Sequence, residues 1–155
     1  MDHSLKIKEY AFLLLKYRPR SEQELYQRLK RKKFPEEEIK KAISFLKERK
    51  FIDDEAFTLA WINSRLGRSF GLRRIRQELK LKGIDKEVLE ERIAEAKKGY
   101  REARVIEGLA RDKLNRVKNI EPVKARNRIY AYLVRRGFSP EAVIDTLNKI
   151  CKQTY

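Results

Sequence analysis

The segment ELYQRLKRKKFPEEEIKKAISFL, from residue 24, aligns without gaps to RIRQELKLKGIDKEVLEERIAEA, from residue 74, and to RIYAYLVRRGFSPEAVIDTLNKI, from residue 128. An internal repeat of this kind constrains the fold more than any other feature, because each copy must adopt the same local structure. Five apolar columns recur in register: Leu25/Ile75/Ile129, Leu29/Leu79/Leu133, Phe34/Ile84/Phe138, Ile39/Leu89/Val143 and Ile43/Ile93/Leu147. Two helices joined by a short turn generate this pattern, with an i, i+4 pair on each helix and a buried residue in the turn. Ser21 and Glu24 have the spacing of a capping box. Gly83 and Gly137 stand where a helix ends in a left-handed residue, and Lys33 holds that place in the first copy. Pro35, Asp85 and Ser139 open the helices that follow, and Pro140 suits a first turn.

A further helical segment precedes each pair, at residues 4–17, 53–67 and 98–117. A helix pair cannot bury its apolar face alone, so the leading helix closes each bundle. Tyr10, Leu14 and Tyr17 are positioned to do so in the first unit, Phe57 and Trp61 in the second, and Val105 and Leu109 in the third. No segment alternates like a strand. The expected fold is all-α, three tandem three-helix repeats of helix-turn-helix character at residues 1–50, 51–98 and 99–155, chained into an elongated, curved modular body.

Charge narrows the function. The chain of 155 residues has 39 Lys and Arg against 23 Asp and Glu, a formal net charge of +16. Such an excess attracts nucleic acid, acidic protein surfaces or anionic membranes. The longest apolar run, YAFLLL at residues 10–15, falls far short of the roughly 20 residues that span a bilayer, and the N-terminus has no signal-peptide pattern. The single cysteine, Cys151, excludes an internal disulfide and fits a reducing cytoplasm. Five basic residues fall on the second helix of every unit: Arg28, Lys30, Arg31, Lys32 and Lys33, then Arg73, Arg74, Arg76, Lys80 and Lys82, then Lys124, Arg126, Arg128, Arg135 and Arg136. Lys32, Lys82 and Arg136 share one aligned column. Arg73, Arg76 and Lys80, at i, i+3 and i+7, share a helix face, and Arg65 and Arg68 precede it closely in sequence.

Catalytic readings find little support. Asp53, Asp54 and Glu55 fall at a helix start, where carboxylates accept hydrogen bonds from free N–H groups and favour the positive end of the dipole. The one histidine, His3, has no convergent metal ligands around it, and neither a phosphate loop nor a dinucleotide fingerprint is present. No enzyme, metal or cofactor is expected. A DNA-reading regulator would lay the start of the helix after the turn in the major groove. Here those helices begin PEEEIK, DKEVLEE and SPEAVID, and acids at that position repel phosphate.

The segments AFLLLKYRPRSEQELYQRL (residues 11–29) and FIDDEAFTLAWINSR (51–65), followed by Gly71, Ile75 and ELKLKGI (78–84), resemble the RecX family, bacterial regulators of the RecA recombinase. The likeness covers nearly the whole chain and is most specific over residues 51–84. Lys50 departs from a glycine usual in the family, and Thr58 from a common alanine. The resemblance implies a non-enzymatic protein that binds RecA filaments on single-stranded DNA, limits filament growth and suppresses ATP hydrolysis, strand exchange and co-protease activity, in DNA repair and SOS control. A cytoplasmic monomer is expected, whose contact with single-stranded DNA is weak or made through RecA. Asp53, Asp54, Trp61 and Gly71 then read as structural. Arg65, Arg68, Arg73, Arg74, Arg76, Lys80 and Lys82 form the expected partner-facing surface, with Arg126, Arg128, Arg135 and Arg136 as its extension. The alternative is a general basic nucleic-acid-binding protein that acts without RecA.

Overall fold

The computed structural model describes residues 3–152. Its regular structure is helical throughout: α1 (His3–Tyr17), α2 (Glu22–Arg31), α3 (Glu36–Glu48), α4 (Asp54–Gly67), α5 (Leu72–Leu81), α6 (Lys86–Gly99), α7 (Glu102–Arg116), α8 (Pro122–Arg135) and α9 (Pro140–Lys152). The fold is all-α with three helical repeats. All the aligned apolar columns are buried except Phe34, which is half-buried against the core. The chain divides into two compact units, one comprising the segment through Trp61 with Leu79–Glu90, the other Ile62–Glu78 with the segment from Glu91 onward. Helices α4, α5 and α6 each contribute residues to both.

In the first unit, Ile7, Ala11 and Leu14 of α1 meet Leu25 and Leu29 of α2 and Ile39, Ile43 and Leu46 of α3. Burying such side chains stabilises each by about 1.5–3 kcal/mol relative to exposure. Tyr10 packs half-buried at the edge of this core, but Tyr17 does not close the bundle: it is 80% exposed. The reason is helical phase, since Ile7, Ala11 and Leu14 define the inward stripe and Tyr17, at the last residue of α1, meets the chain as it leaves the helix. In the second unit, Ile106 and Ala110 of α7 are the fully buried pair against Ile129, Leu133, Phe138, Val143 and Leu147. The expected pair Val105 and Leu109 lies one position earlier and flanks that core half-buried. Alanine at 110 lets the α7 backbone approach closely, so the smaller residue takes the central place.

The caps follow the sequence. Ser21 is fully buried, accepts the Glu24 N–H at its hydroxyl and donates its own N–H to Glu24, completing the capping box. Asp53 Oδ1 accepts from the N–H groups of Glu55 and Ala56 at 3.0 and 3.2 Å. Asp85 and Ser139 cap α6 and α9 in the same way. Gly83 and Gly137 have φ of 75° and 101°, and Lys33 stands in the left-handed region at 66°.

Asp54 does something the sequence did not suggest. Its Oδ1 accepts the N–H of Glu22, the first residue of α2, at 2.9 Å. Ser21 meanwhile donates its hydroxyl to the Lys82 carbonyl at the end of α5, at 2.7 Å. The start of α2 is thus closed by an acid from the head of α4 and a carbonyl from the tail of α5. The second unit repeats the device. The Leu72 N–H at the start of α5 donates to Glu102 Oε1 at the head of α7, at 3.0 Å. Gly71 and Arg73 N–H groups donate to the carbonyls of Arg136 and Gly137, just past the end of α8, at 2.9 and 3.2 Å. A helix start with its free donors thereby meets a helix end with its free acceptors, and the partial charges of the two dipoles are complementary.

Candidate partner-binding surface

Each expected contact residue has a definite place. In the first unit, Lys80 is exposed on α5, whereas Lys82 is half-buried. The Lys82 ammonium lies 3.3 Å from Glu24 Oε1 and 4.4 Å from the Trp61 ring centroid. Trp61 itself stacks on Phe57, with centroids 5.9 Å apart. Burial pushes the Glu24 carboxyl up, but hydrogen bonding to Arg18, the charges of Lys82 and Arg18 and the Ser21 N–H outweigh it and hold the group below the usual carboxylate range. Lys82 is therefore a lock between α5, α4 and the head of α2, not an outward cation.

The second unit gathers the arginines around Phe70, a residue that no sequence motif singles out. The guanidiniums of Arg136, Arg74 and Arg65 lie 4.2, 4.4 and 5.3 Å from its ring centroid. Such cation–π contacts contribute about 0.5–2 kcal/mol each, more when desolvated. Arg65 pairs with Glu78 Oε2 at 2.8 Å, and Arg74 lies 3.7 Å from Glu78 Oε1. Arg136 donates to the Ser69 carbonyl at 3.1 Å and to the Arg68 carbonyl. Arg74 donates to the Arg135 carbonyl at 3.4 Å. The Tyr100 hydroxyl donates to the Phe70 carbonyl at 3.0 Å, and burial, with the Glu102 charge beside it, pushes its pKa up to about 12. Tyr100 thus remains a donor at any physiological pH.

Ser69, at φ 60°, turns the chain so that Phe70 reaches under the arginines. An aromatic placed between Arg68 and Gly71, ahead of the Arg73-Arg74 pair, was the available signal for this cluster.

Three guanidiniums against one carboxylate leave the cluster strongly positive. Arg65, Arg74 and Arg136 are oriented by the ring, by Glu78 and by backbone carbonyls, and Arg68, Arg73 and Arg135 are exposed on the same backbone segments. Exposed guanidiniums carried on this ordered backbone suit a carboxylate-rich or phosphate-rich surface. Arg76 is half-buried on α5. Farther along α8, Arg128 is exposed and Arg126 is half-buried, donating to Asn148 Oδ1 at 2.7 Å. Six of the eleven expected contact residues are thus exposed, namely Arg68, Arg73, Arg74, Lys80, Arg128 and Arg135. The other five are half-buried.

His3 is exposed at the start of α1. Among the described residues, no group of three or more His, Cys, Asp or Glu side chains is placed to hold a metal ion, and no helix is long and apolar enough to cross a membrane.

Three family models match the chain: "RecX, first three-helix domain" at residues 8–46, "RecX, second three-helix domain" at 53–92 and "RecX, third three-helix domain" at 102–147. Regulatory protein RecX of Clostridium beijerinckii is 32% identical over 151 residues, covering 96% of this chain and 70% of that protein. Regulatory protein RecX of Haemophilus influenzae is 31% identical over 141 residues, covering 90% of this chain and 91% of that protein. The crystal structure of RecX from Lactobacillus salivarius superposes with a TM-score of 0.80 at 21% identity, over 96% of both chains, and shares the fold.

Proposed function

The chain belongs to the RecX family, and from that premise we propose that it regulates the RecA recombinase by binding RecA filaments assembled on single-stranded DNA. Bound there, it limits filament growth and suppresses ATP hydrolysis, strand exchange and co-protease activity. It acts in the cytoplasm as a monomer, without catalysis of its own, within DNA repair, recombination and SOS control. Its repeats are bounded at residues 1–50, 51–98 and 99–155.

The observation that carries this reading is the arginine cluster around Phe70, with Arg68, Arg73, Arg74 and Arg135 exposed beside it. A filament offers acidic protein walls and phosphates, and exposed guanidiniums carried on ordered helices complement both. Arg128 extends the contact within that unit, Lys80 is a separate proposed contact on the first unit, and Arg65, Arg76, Lys82, Arg126 and Arg136 hold the frames of their own units.

The test is RecA's DNA-dependent ATP hydrolysis, titrated with this protein at fixed moderate salt and saturating single-stranded DNA. Inhibition at well below one protein per RecA is the expected result. Inhibition relieved merely by adding more DNA would instead mean competition for nucleic acid, the behaviour of a general basic DNA-binding protein.

A further inference from the structure

The third repeat carries an open cavity of about 520 Å³ whose floor is its own hydrophobic core. Ile129, Leu147 and Ile150 form the floor, and Leu114, Val117 and Ile120 form the wall. A second cleft of about 380 Å³ adjoins it, sharing Val117 and Ile129, and its lining includes Lys113, Arg128, Arg135 and Tyr132. The Lys113 ammonium sits 4.2 Å from the centre of the Tyr132 ring. Together the two hollows are lined by five cations, Arg111, Arg126, Lys113, Arg128 and Arg135, of which Arg111 is paired with Glu107 Oε1 at 2.9 Å, and no carboxylate belongs to the lining itself.

We propose that this pair of hollows is a docking site for an acidic peptide segment of a partner protein, with a bulky apolar side chain of the segment in the cavity and its neighbouring carboxylates on the basic cleft. Size and chemistry select this occupant. The cavity falls in the range that encloses bulky groups, and its apolar wall rewards burial. A nucleobase seated there would find polar partners only in Arg111, Asn115 and Arg126, and any part of its polar edge set against isoleucine, leucine and valine would bear the cost of desolvation. A phosphodiester chain could use only the basic cleft. An aromatic or long aliphatic residue flanked by acids uses both, which is the anchor-and-rim division typical of protein interfaces. The inference goes beyond the reading above and does not rest on it, because it holds whichever protein carries the segment.

Cys151 supplies a reporter. Its half-buried thiol lines the cavity, with Arg126 Nη1 3.6 Å from the sulfur. An occupant would shield it.

The experiment uses the full chain and short fluorescein-labelled peptides of Asp, Glu and Ser, one with a central Phe, a second with that Phe replaced by Ser. Fluorescence polarisation is expected to show the Phe peptide binding at least about tenfold more tightly, the effect of burying one large apolar side chain. The Phe peptide should slow modification of Cys151 by a thiol reagent, and the Ser peptide should not. Ile120→Ser, in the cavity wall, should remove the preference for Phe, whereas Arg128→Glu should weaken both peptides alike. Circular dichroism checks that each variant is folded, and Val117→Ser replaces Ile120→Ser if the latter is not. Equal affinity for the two peptides, no binding of either, or unchanged Cys151 reactivity at saturating Phe peptide would overturn the proposal. Displacement of the Phe peptide by oligothymidylate, with Cys151 equally reactive throughout, would do the same and identify the cleft as a nucleic-acid surface.

Discussion

Two lysines occupy backbone conformations that favour glycine. Lys50, at φ 57°, follows α3, and Lys33, at φ 66°, follows α2. Position 50 is where the family resemblance led one to expect glycine, and the left-handed turn after α3 is the reason. A side chain there costs about 1–2 kcal/mol. Glycine would relieve that cost while adding about 0.5–1 kcal/mol of chain entropy to lose on folding. Lys50→Gly is therefore expected to stabilise the protein by about 0.5–1 kcal/mol, read as a rise in thermal midpoint. A fall would mean that the Lys50 side chain contributes more than its backbone costs. Glu24 makes a second prediction at this scale. Its folded pKa lies below the ordinary glutamate value, so its ionised form is favoured by folding. That contribution is complete above the unfolded pKa and is lost as pH falls through the folded one. Acid titration of stability should accordingly show a shallower loss below about pH 4.3 in Glu24→Gln than in the native chain, from a lower plateau at neutral pH. Parallel curves would exclude Glu24 as a source of acid sensitivity.

At the scale of elements, the joints at the starts of α2 and α5 explain which small residues are required. A Cβ on Gly71 would stand 2.2 Å from the backbone carbon and oxygen of Gly137, and neither can yield without parting α5 from the end of α8. Gly67, at the end of α4, has nothing within 4 Å of the same added atom. Gly71→Ala should destabilise by about 2 kcal/mol or more, whereas Gly67→Ala should be neutral or stabilising by up to about 1 kcal/mol. Chemical denaturation of the two variants checks this, and equal midpoints would refute the close approach. Asp54 can be separated into charge and acceptor. Burial raises its pKa despite the Glu22 N–H bond that favours the ionised form. Asn keeps an acceptor without the buried charge, so Asp54→Asn should hold near-native stability at neutral pH while Asp54→Ala loses about 0.5–2 kcal/mol. These joints also mark the limit of what the sequence discloses. The repeat, the buried columns and the caps at Ser21, Asp53, Asp85 and Ser139 are legible because their partners lie within a few residues. The Ser21–Lys82 bond links residues 61 apart, and nothing local to either position announces the other. The basic column of Lys32, Lys82 and Arg136 was visible through the repeat, yet two of its members prove to be joint residues. Recurrence alone does not distinguish a cation kept for a partner from one kept for packing.

For the whole molecule, the relevant division is between charge held in the frame and charge offered to solvent. A net charge of +16 raises encounter rates with any polyanion and so confers little selectivity. On the function proposed above, selectivity comes from cations on ordered helices whose side chains remain available, namely Arg68, Arg73, Arg74, Lys80, Arg128 and Arg135, all exposed. If about five of them met phosphates on a single strand, log affinity would fall with log salt at a slope of about −3.5, and each charge removed would make it shallower by about 0.7. Contacts to acidic protein walls release no condensed counterions of that kind. The double variant Arg68→Glu/Arg73→Glu is thus expected to lose inhibition of RecA ATP hydrolysis with an unchanged thermal midpoint, and with a larger loss of filament binding than of naked-DNA binding. Arg136→Ala should behave in the opposite way. It removes two charge-assisted hydrogen bonds to the Ser69 and Arg68 carbonyls and a guanidinium from the Phe70 ring, so its first effect is a stability loss of about 2 kcal/mol. Should the double variant inhibit as well as the native chain while Arg136→Ala keeps its full stability, the assignment of surface and frame would be reversed. If the double variant lost naked-DNA binding and filament binding in equal proportion, phosphate would be the ligand and the general nucleic-acid reading would replace the filament one.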